Sequence, residues 1–178
     1  MRALFAALLL TSAPAGAEGQ RVEFLGHHSE VPAGWVPQPV VSRMRLLQFE
    51  VPGEAGVESG QFVLYYFGPG QGGSVEANVE RWRSQFSRPD GAEVEAVIAR
   101  LEGAILPATL VELEGSYARS VGMGQVGEVL PDRMLLAAVV ETPQGNLHPQ
   151  LHGPADLVRG QREAFIAFLR GIAAAPPP

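Results

Sequence analysis

Short runs of apolar residues, separated by turn residues, divide most of the chain into strands. The pattern predicts strands over residues 21–25, 43–51, 61–67, 94–102, 109–114, 134–140 and 146–152. Pro and Gly residues at 52–53, 103–107 and 143–145 mark the turns that follow three of them. Residues 61–67 and 134–140 are apolar on both faces, which is typical of central strands that are covered on both sides.

A helical pattern begins at Ser74. The apolar residues that follow it fall at positions i, i+4, i+7 and i+11, and they form one stripe: Val75, Val79, Trp82 and Phe86. Ser74 suits the N-cap position, because its hydroxyl can accept a hydrogen bond from a free backbone N–H of the first turn. The sequence Pro-Asp-Gly at 89–91 ends the predicted helix.

A second helix is predicted over residues 154–172. Pro154 suits the first turn of a helix. Gly160 weakens the first half of this helix by about 1 kcal/mol relative to Ala. The residues predicted to face the core are Val158, Phe165, Phe168, Leu169 and Ile172. Residues 173–178, three Ala followed by three Pro, predict a disordered tail.

These elements predict an α+β fold. Strands joined by short turns pair antiparallel, and strands that are apolar on both faces need cover on both sides. We therefore expect a largely antiparallel sheet of about six to seven strands, covered by two main helices in an α/β/α sandwich. No linker or internal repeat divides residues 18–172, which we interpret as a single domain.

The first residues have the pattern of a cleavable export signal. Arg2 supplies a positive charge, residues 4–10 are apolar, and Ala15-Gly16-Ala17 has the small-x-small form that signal peptidase recognises. The apolar run is too short to span a membrane. Residues 1–17 are therefore predicted to be a signal peptide, which implies a periplasmic or secreted protein without membrane insertion after cleavage.

Composition narrows the possible chemistry. The formal net charge is −6, which argues against nucleic acids and anionic membrane surfaces as partners. The chain has no Cys, so disulfides, thiol nucleophiles and thiolate metal sites are excluded. It also has no Lys, which excludes Schiff-base chemistry and a Walker-type phosphate site.

A glycine-rich segment, Gly-Pro-Gly-Gln-Gly-Gly at 68–73, lies between a predicted strand and a predicted helix. It matches G-x-G-x-x-G, whose glycines let the backbone approach a pyrophosphate at a helix N-terminus. The strands before it look antiparallel, which argues against a dinucleotide fold. The alternatives are a nucleotide contact, contact with another anion or ligand, and a structural turn. The candidate ligand residues here are Gly70, Gly72, Gly73 and Ser74.

Asn78, Arg81 and Gln85 form a second polar group on the first predicted helix. They are spaced i, i+3 and i+7, beside the apolar stripe. Such residues either line a ligand site with the glycine-rich segment or hydrogen-bond its backbone and hold it in place. We include all three among the candidate ligand-binding residues.

Four histidines form two pairs. His148 and His152 are four residues apart in a predicted strand, so they point to the same face. His27 and His28 are predicted to lie in an early loop. Together with Glu30 they could ligate zinc, but two histidines at this spacing are common by chance, so we predict neither a metal site nor a cofactor.

Other catalytic patterns are weak. The chain has no G-x-S-x-G nucleophile elbow. Four glutamates lie on or directly before two predicted neighbouring strands, where outward-facing carboxylates are the ordinary case: Glu93, Glu95, Glu112 and Glu114. Residues 115–127 are rich in glycine and are predicted to form a mobile loop that could cap a cleft. We predict no catalytic residues.

The spacing of several residues resembles a family of uncharacterised exported bacterial proteins. The order of elements is also similar to the PsbP-like arrangement, an antiparallel sheet with helices packed on it. The resemblance covers about residues 21–172 and implies a fold without an established activity. The residues that carry it are Gly34-Trp35, Met44-Arg45, Phe49, Gly70, Gly73, Asn78, Arg81-Trp82, Gln85-Phe86 and Gly153-Pro154.

We therefore predict an exported binding or accessory module rather than an enzyme. Its partner is a small ligand or an envelope protein that contacts the region of residues 68–73. PsbP-like domains generally act in such roles, and this analogy supports the prediction at the level of fold alone. The alternatives are a small exported hydrolase or metal-dependent enzyme, and a structural component of an envelope assembly.

Overall fold

A large antiparallel sheet organises the fold of the computed structural model, which describes residues 19–120 and 126–175. The predicted signal peptide and residues 121–125 and 176–178 lie outside this part. The large sheet has eight strands in the order β3-β4-β5-β10-β9-β8-β6, with β7 also paired to β8. A second, three-stranded sheet has the order β1-β2-β11. The predicted α+β class and the largely antiparallel pairing are confirmed.

The elements follow one another with short connections. The strands are β1 (Gln20–Phe24), β2 (His27–Val31), β3 (Val36–Pro37), β4 (Arg45–Val51), β5 (Gly60–Tyr66), β6 (Phe86–Ser87), β7 (Val97–Arg100), β8 (Ala108–Ser120), β9 (Val126–Val140), β10 (Leu147–Pro154) and β11 (Ala173–Ala174). The helices are α1 (Val75–Arg83), α2 (Ala155–Gly160) and α3 (Arg162–Arg170). None of these helices has the length and apolar character that crossing a membrane requires.

The two faces of the large sheet carry separate apolar clusters. On the inner face, α2 and α3 pack together with the small sheet against a core that includes Phe62, Leu136, Leu151 and Phe165. On the outer face, α1 packs against β8 and β9 through a smaller cluster around Trp82. As predicted, β5 and β9 are central strands, because each is hydrogen-bonded on both edges.

The first predicted helix begins where the sequence predicts but ends earlier, at Arg83. The Ser74 hydroxyl caps α1 by accepting a hydrogen bond from the Ala77 N–H (3.2 Å), as predicted. Phe86 is not helical: it is the first residue of β6 and pairs with Tyr117 of β8. Its place in the predicted helix was therefore wrong. The strand begins at this residue and keeps Phe86 in the same apolar cluster.

The predicted helix over 154–172 is two helices. It breaks at Gln161, directly after Gly160, and the Gln161 side chain accepts a hydrogen bond from the Trp35 indole (3.0 Å). Gly160 is a poor helix former, and the tertiary bond to Trp35 holds Gln161 at the break.

The small sheet was not predicted. His27 and His28 lie in β2, not in a loop, and His27, Ser29 and Val31 alternate inward although two of them are polar. Ala173 and Ala174, expected to be disordered, pair with this strand as β11. Backbone pairing holds Ala173 and Ala174 against β2, so the hydropathy pattern does not reveal this strand.

The β8–β9 hairpin is longer than predicted and is bent. Residues 115–120 and 126–127 belong to its strands, so the mobile loop predicted over 115–127 was wrong there. Pro131 and Asp132 on β9 stand opposite the single residue Ser116 on β8, which makes a β-bulge. Asp132 has a positive φ of 52°. A bulge bends a strand and increases its twist, and here it redirects the end of the hairpin towards the outer face.

Candidate functional site

Only part of the outer face is covered by a helix. The residues of α1 that pack on the sheet, Val79 and Trp82, contact the β8 and β9 side of this face. The neighbouring strands β5 and β10 present polar and aromatic side chains there, and Gln61, Tyr65 and Gln150 are exposed or half-buried. This uncovered half is one of the places where the structure has open cavities.

Two cavities lie on the uncovered half and share two lining residues, Gln61 and His152. The first has a volume of about 480 Å³ and the second about 280 Å³. We call the two together the outer-face depression. The first is lined by Gln38, Gln48, Glu50, Glu58, Ser59, Gly60, Gln61, Arg133, His152 and Gly153, and the second by Gln61, Val63, Tyr65, Tyr117, Glu128, Leu130, Gln150 and His152.

The bent hairpin forms one wall of the depression. Tyr117, Glu128 and Leu130, from the hairpin beyond its bulge, line the second cavity opposite β5 and β10. The Tyr117 ring lies 4.1 Å from the His152 ring and 5.3 Å from the Phe86 ring, measured between centroids. These aromatic contacts hold the end of the hairpin against the sheet.

An ion pair closes the other end of the depression. Arg133 is nearly buried, and its two terminal nitrogens contact the two carboxylate oxygens of Glu58 at 3.0 and 2.5 Å. The hydrogen bonds from Arg133 lower the pKa of the Glu58 carboxyl below its usual value. The paired charges are fixed in position, as a bidentate arginine–carboxylate contact requires.

The glycine-rich segment is tied to α1 by Asn78. The buried Asn78 amide donates hydrogen bonds to the carbonyl oxygens of Gly72 (2.7 Å) and Ser74 (2.8 Å). Its oxygen accepts a short hydrogen bond from Arg81, and Gln85 donates to the Arg81 carbonyl (3.2 Å). Asn78 thus holds the loop in place, as the architectural alternative predicts.

His148 lies beneath this loop. Its side chain is fully buried, and neither ring nitrogen has a hydrogen-bond partner in the described part of the chain. Burial, and to a smaller extent the positive charge of Arg81, lowers the pKa of His148 to about 4. The Phe67 ring meets the imidazole edge-on at 5.3 Å. His148 is therefore a neutral core residue at neutral pH.

Two of the candidate glutamates have structural partners. Glu112 and Glu114 form ion pairs with Arg162 and Arg159, each at 2.8 Å, so they join β8 to the helices of the inner face.

His148 and His152 share a face of β10, as predicted. Among residues 19–120 and 126–175, no group of three or more His, Asp or Glu side chains is placed to hold a metal ion.

The candidate residues predicted from the sequence lie in the glycine-rich segment and on α1, not in the depression. Gly70, Gly73 and Ser74 are exposed, while Gly72 packs on His148. The residues that line the depression were missed, although the sequence carries a signal for them. Gln61 begins an apolar strand, and Gln150 and His152 place polar groups two residues apart in another.

The chain matches no known family model and no curated protein. Among solved structures, it is similar to cyanobacterial PsbP (CyanoP) from Synechocystis sp. PCC 6803, with a TM-score of 0.51 and 18% identity over 95% of this chain and 98% of that one. A protein of unknown function from Pseudomonas aeruginosa, PA94, has a TM-score of 0.48 and 14% identity, over 91% of this chain and 99% of that one.

The similarity to CyanoP defines the class of fold. The chain has a PsbP-like α+β fold, as the resemblance in its sequence implies. At this level of identity the likeness concerns the fold and not the activity.

Proposed function

We propose that this protein is an exported binding module that holds a small polar ligand in the outer-face depression. The observation that carries the proposal is that two adjoining cavities, sharing Gln61 and His152, lie on the half of the outer face that α1 leaves uncovered. Ligand sites in proteins commonly have volumes of about 300–1,000 Å³, and the first cavity has about 480 Å³.

The groups that line the depression suit a polar ligand. The amides of Gln61 and Gln150 each offer donors and an acceptor, and neither is hydrogen-bonded to another described residue. Tyr65 and Tyr117 supply aromatic walls. Amides at fixed positions on neighbouring strands orient a ligand through hydrogen bonds, while the rings exclude water from one side of it.

The chemistry of several of these groups suits binding. The amides of Gln61 and Gln150 do not ionise near neutral pH, and the charges of Arg133 and Glu58 are engaged with each other. The depression also adjoins the region predicted from the sequence, because the Tyr65 ring lies 6.1 Å from the ring of Phe67, which precedes the glycine-rich segment. An envelope protein is the alternative partner.

A substitution that fills the depression should abolish ligand binding. Gln150→Trp places a large ring in the second cavity, and Gln20→Trp, on the exposed start of β1, is the matched control. The measurement is a thermal-shift screen with amino acids, sugars, nucleosides and organic acids. A ligand at 100 times its Kd adds about 2.7 kcal/mol to the free energy of unfolding, which raises the melting temperature by roughly 5–10 °C.

We expect at least one compound to stabilise the wild type and Gln20→Trp but not Gln150→Trp. Equal stabilisation of all three proteins would place the ligand elsewhere. If no compound stabilised the wild type, the small-ligand proposal would be wrong. Turnover of a stabilising compound would instead support the enzyme alternative.

The export part of the proposal has its own test. The protein purified from its host should begin at Glu18, because signal peptidase cleaves after a small-x-small pattern. N-terminal sequencing measures this directly. A first residue of Met1 or Arg2 would contradict export.

A further inference from the structure

Two arginines near the depression differ from most others in their partners. Arg45 and Arg81 form no ion pair with a carboxylate in the part of the chain that the structure describes. The chain has 19 acidic residues against 13 basic ones, so carboxylates are abundant. The arginines that do pair with carboxylates are Arg21, Arg83, Arg88, Arg100, Arg133, Arg159 and Arg162.

Each of the two arginines is instead held by one neutral amide and one aromatic ring. Arg45 donates to the Gln48 amide oxygen (2.7 Å), and its guanidinium lies over the Tyr65 ring at 5.5 Å. Arg81 donates to the Asn78 amide oxygen and lies over the Phe67 ring at 5.9 Å. These contacts fix the position of each guanidinium but leave its positive charge unneutralised.

The two rings that the guanidinium groups contact are neighbours. Tyr65 and Phe67 are two residues apart on the chain, so both project from the outer face. Their planes are parallel within 2°, and their centroids are 6.1 Å apart. Each ring therefore carries one guanidinium, and the two form an arginine–aromatic pair at the end of the depression that Tyr65 lines.

We propose that this arginine–aromatic pair binds a ligand with two or more carboxylate groups. A guanidinium offers N–H groups in a fork that matches a carboxylate, and a side chain already fixed in position loses little conformational entropy on binding. The inference goes beyond the proposed function, because the pair adjoins the depression through Tyr65 while neither arginine is among the residues that line the two cavities. The carboxylates belong either to a small polycarboxylate or to an acidic segment of a partner.

The test measures the affinity of the full-length mature chain for citrate and for a hexaglutamate peptide by isothermal titration calorimetry at low ionic strength. The variants are Arg45→Gln and Arg81→Gln, alone and combined. Arg100→Gln removes an exposed arginine that is paired with Glu141 and is the matched control. Arg45→Gln leaves the glycine-rich segment untouched, so it carries the test if Arg81→Gln disturbs the fold.

We expect the wild type to bind at least one probe, and each single substitution to weaken that binding about tenfold or more, as the loss of a charge-assisted hydrogen bond implies. Arg100→Gln should bind within about twofold of the wild type. Tighter binding of citrate identifies a small polycarboxylate, and tighter binding of the peptide identifies an acidic segment.

Two results would overturn the inference: no binding of either probe, or binding that Arg45→Gln and Arg81→Gln leave unchanged. Neither result affects the proposed function, which depends on the loss of ligand stabilisation in Gln150→Trp. If Gln150→Trp keeps that stabilisation while the arginine variants lose carboxylate binding, the proposed function fails and the anion site stands.

Discussion

Gly72→Ala should lower the free energy of unfolding by about 2–5 kcal/mol, whereas Gly70→Ala in the same loop should lower it by about 1–2 kcal/mol. A methyl group at Gly72 would overlap the Nε2 atom of His148 and lie 3.2 Å from the Phe67 ring. His148 is fully buried, so moving the imidazole away would displace the side chains packed around it. Gly72 also has a φ of +95°, which strains any other residue.

Gly70→Ala isolates the backbone part of this effect. Its φ is +68°, and nothing lies within 4 Å of the added methyl group. Urea unfolding of both variants and the wild type gives the two differences directly. Equal effects of the two substitutions would mean that the contact between Gly72 and His148 contributes nothing, and that the loop is free to move off the imidazole.

The second large expected effect is a loss of stability at acidic pH, which arises because the folded protein keeps His148 unprotonated. Its pKa is about 4 in the folded protein, below the ordinary value of 6.5. Between these values the unfolded chain binds a proton that the folded protein does not bind. The free energy of unfolding therefore falls as the pH falls through this range, by about 2 kcal/mol between pH 7 and pH 5.

His148→Leu should remove this contribution, because leucine cannot take up a proton. The measurement is urea unfolding at pH 7 and pH 5 for the wild type, His148→Leu and the matched control His152→Leu, which lies on the same face of β10. We expect the free energy of unfolding of His152→Leu to fall between pH 7 and pH 5 as it does in the wild type, because His148 is still present. If His148→Leu lost as much stability as the wild type, the folded protein would have to accept the proton on His148.

The sequence allowed the large sheet to be predicted because its central strands are continuously apolar. Residues 61–67 and 134–140 correspond to β5 and to the end of β9, and the Ser74 cap has a local chemical cause. Phe86 could not be placed, since a residue eleven positions along an apolar stripe faces the core whether a helix continues or a strand begins.

The candidate site was harder to predict than the fold. The depression is made by residues from β4, β5, β9 and β10 together with the end of the bent hairpin, so it depends on the order and register of strands that are distant in sequence. No local pattern specifies that β10 lies between β5 and β9. The glycine-rich segment is recognisable in the sequence because it is local, and its contacts to Asn78 are local as well.

The position of β10 in the sheet also determines when the outer-face depression can form during folding. β10 is the last long strand of the chain, yet it joins β5 on one edge and β9 on the other. Before residues 147–154 have emerged during synthesis, no described strand connects β3, β4 and β5 to the rest of the large sheet. Pairing strands that are distant in sequence is slow compared with forming a hairpin from neighbouring strands. The outer-face depression therefore forms in one late step of folding, and a chain cut short before β10 cannot form it.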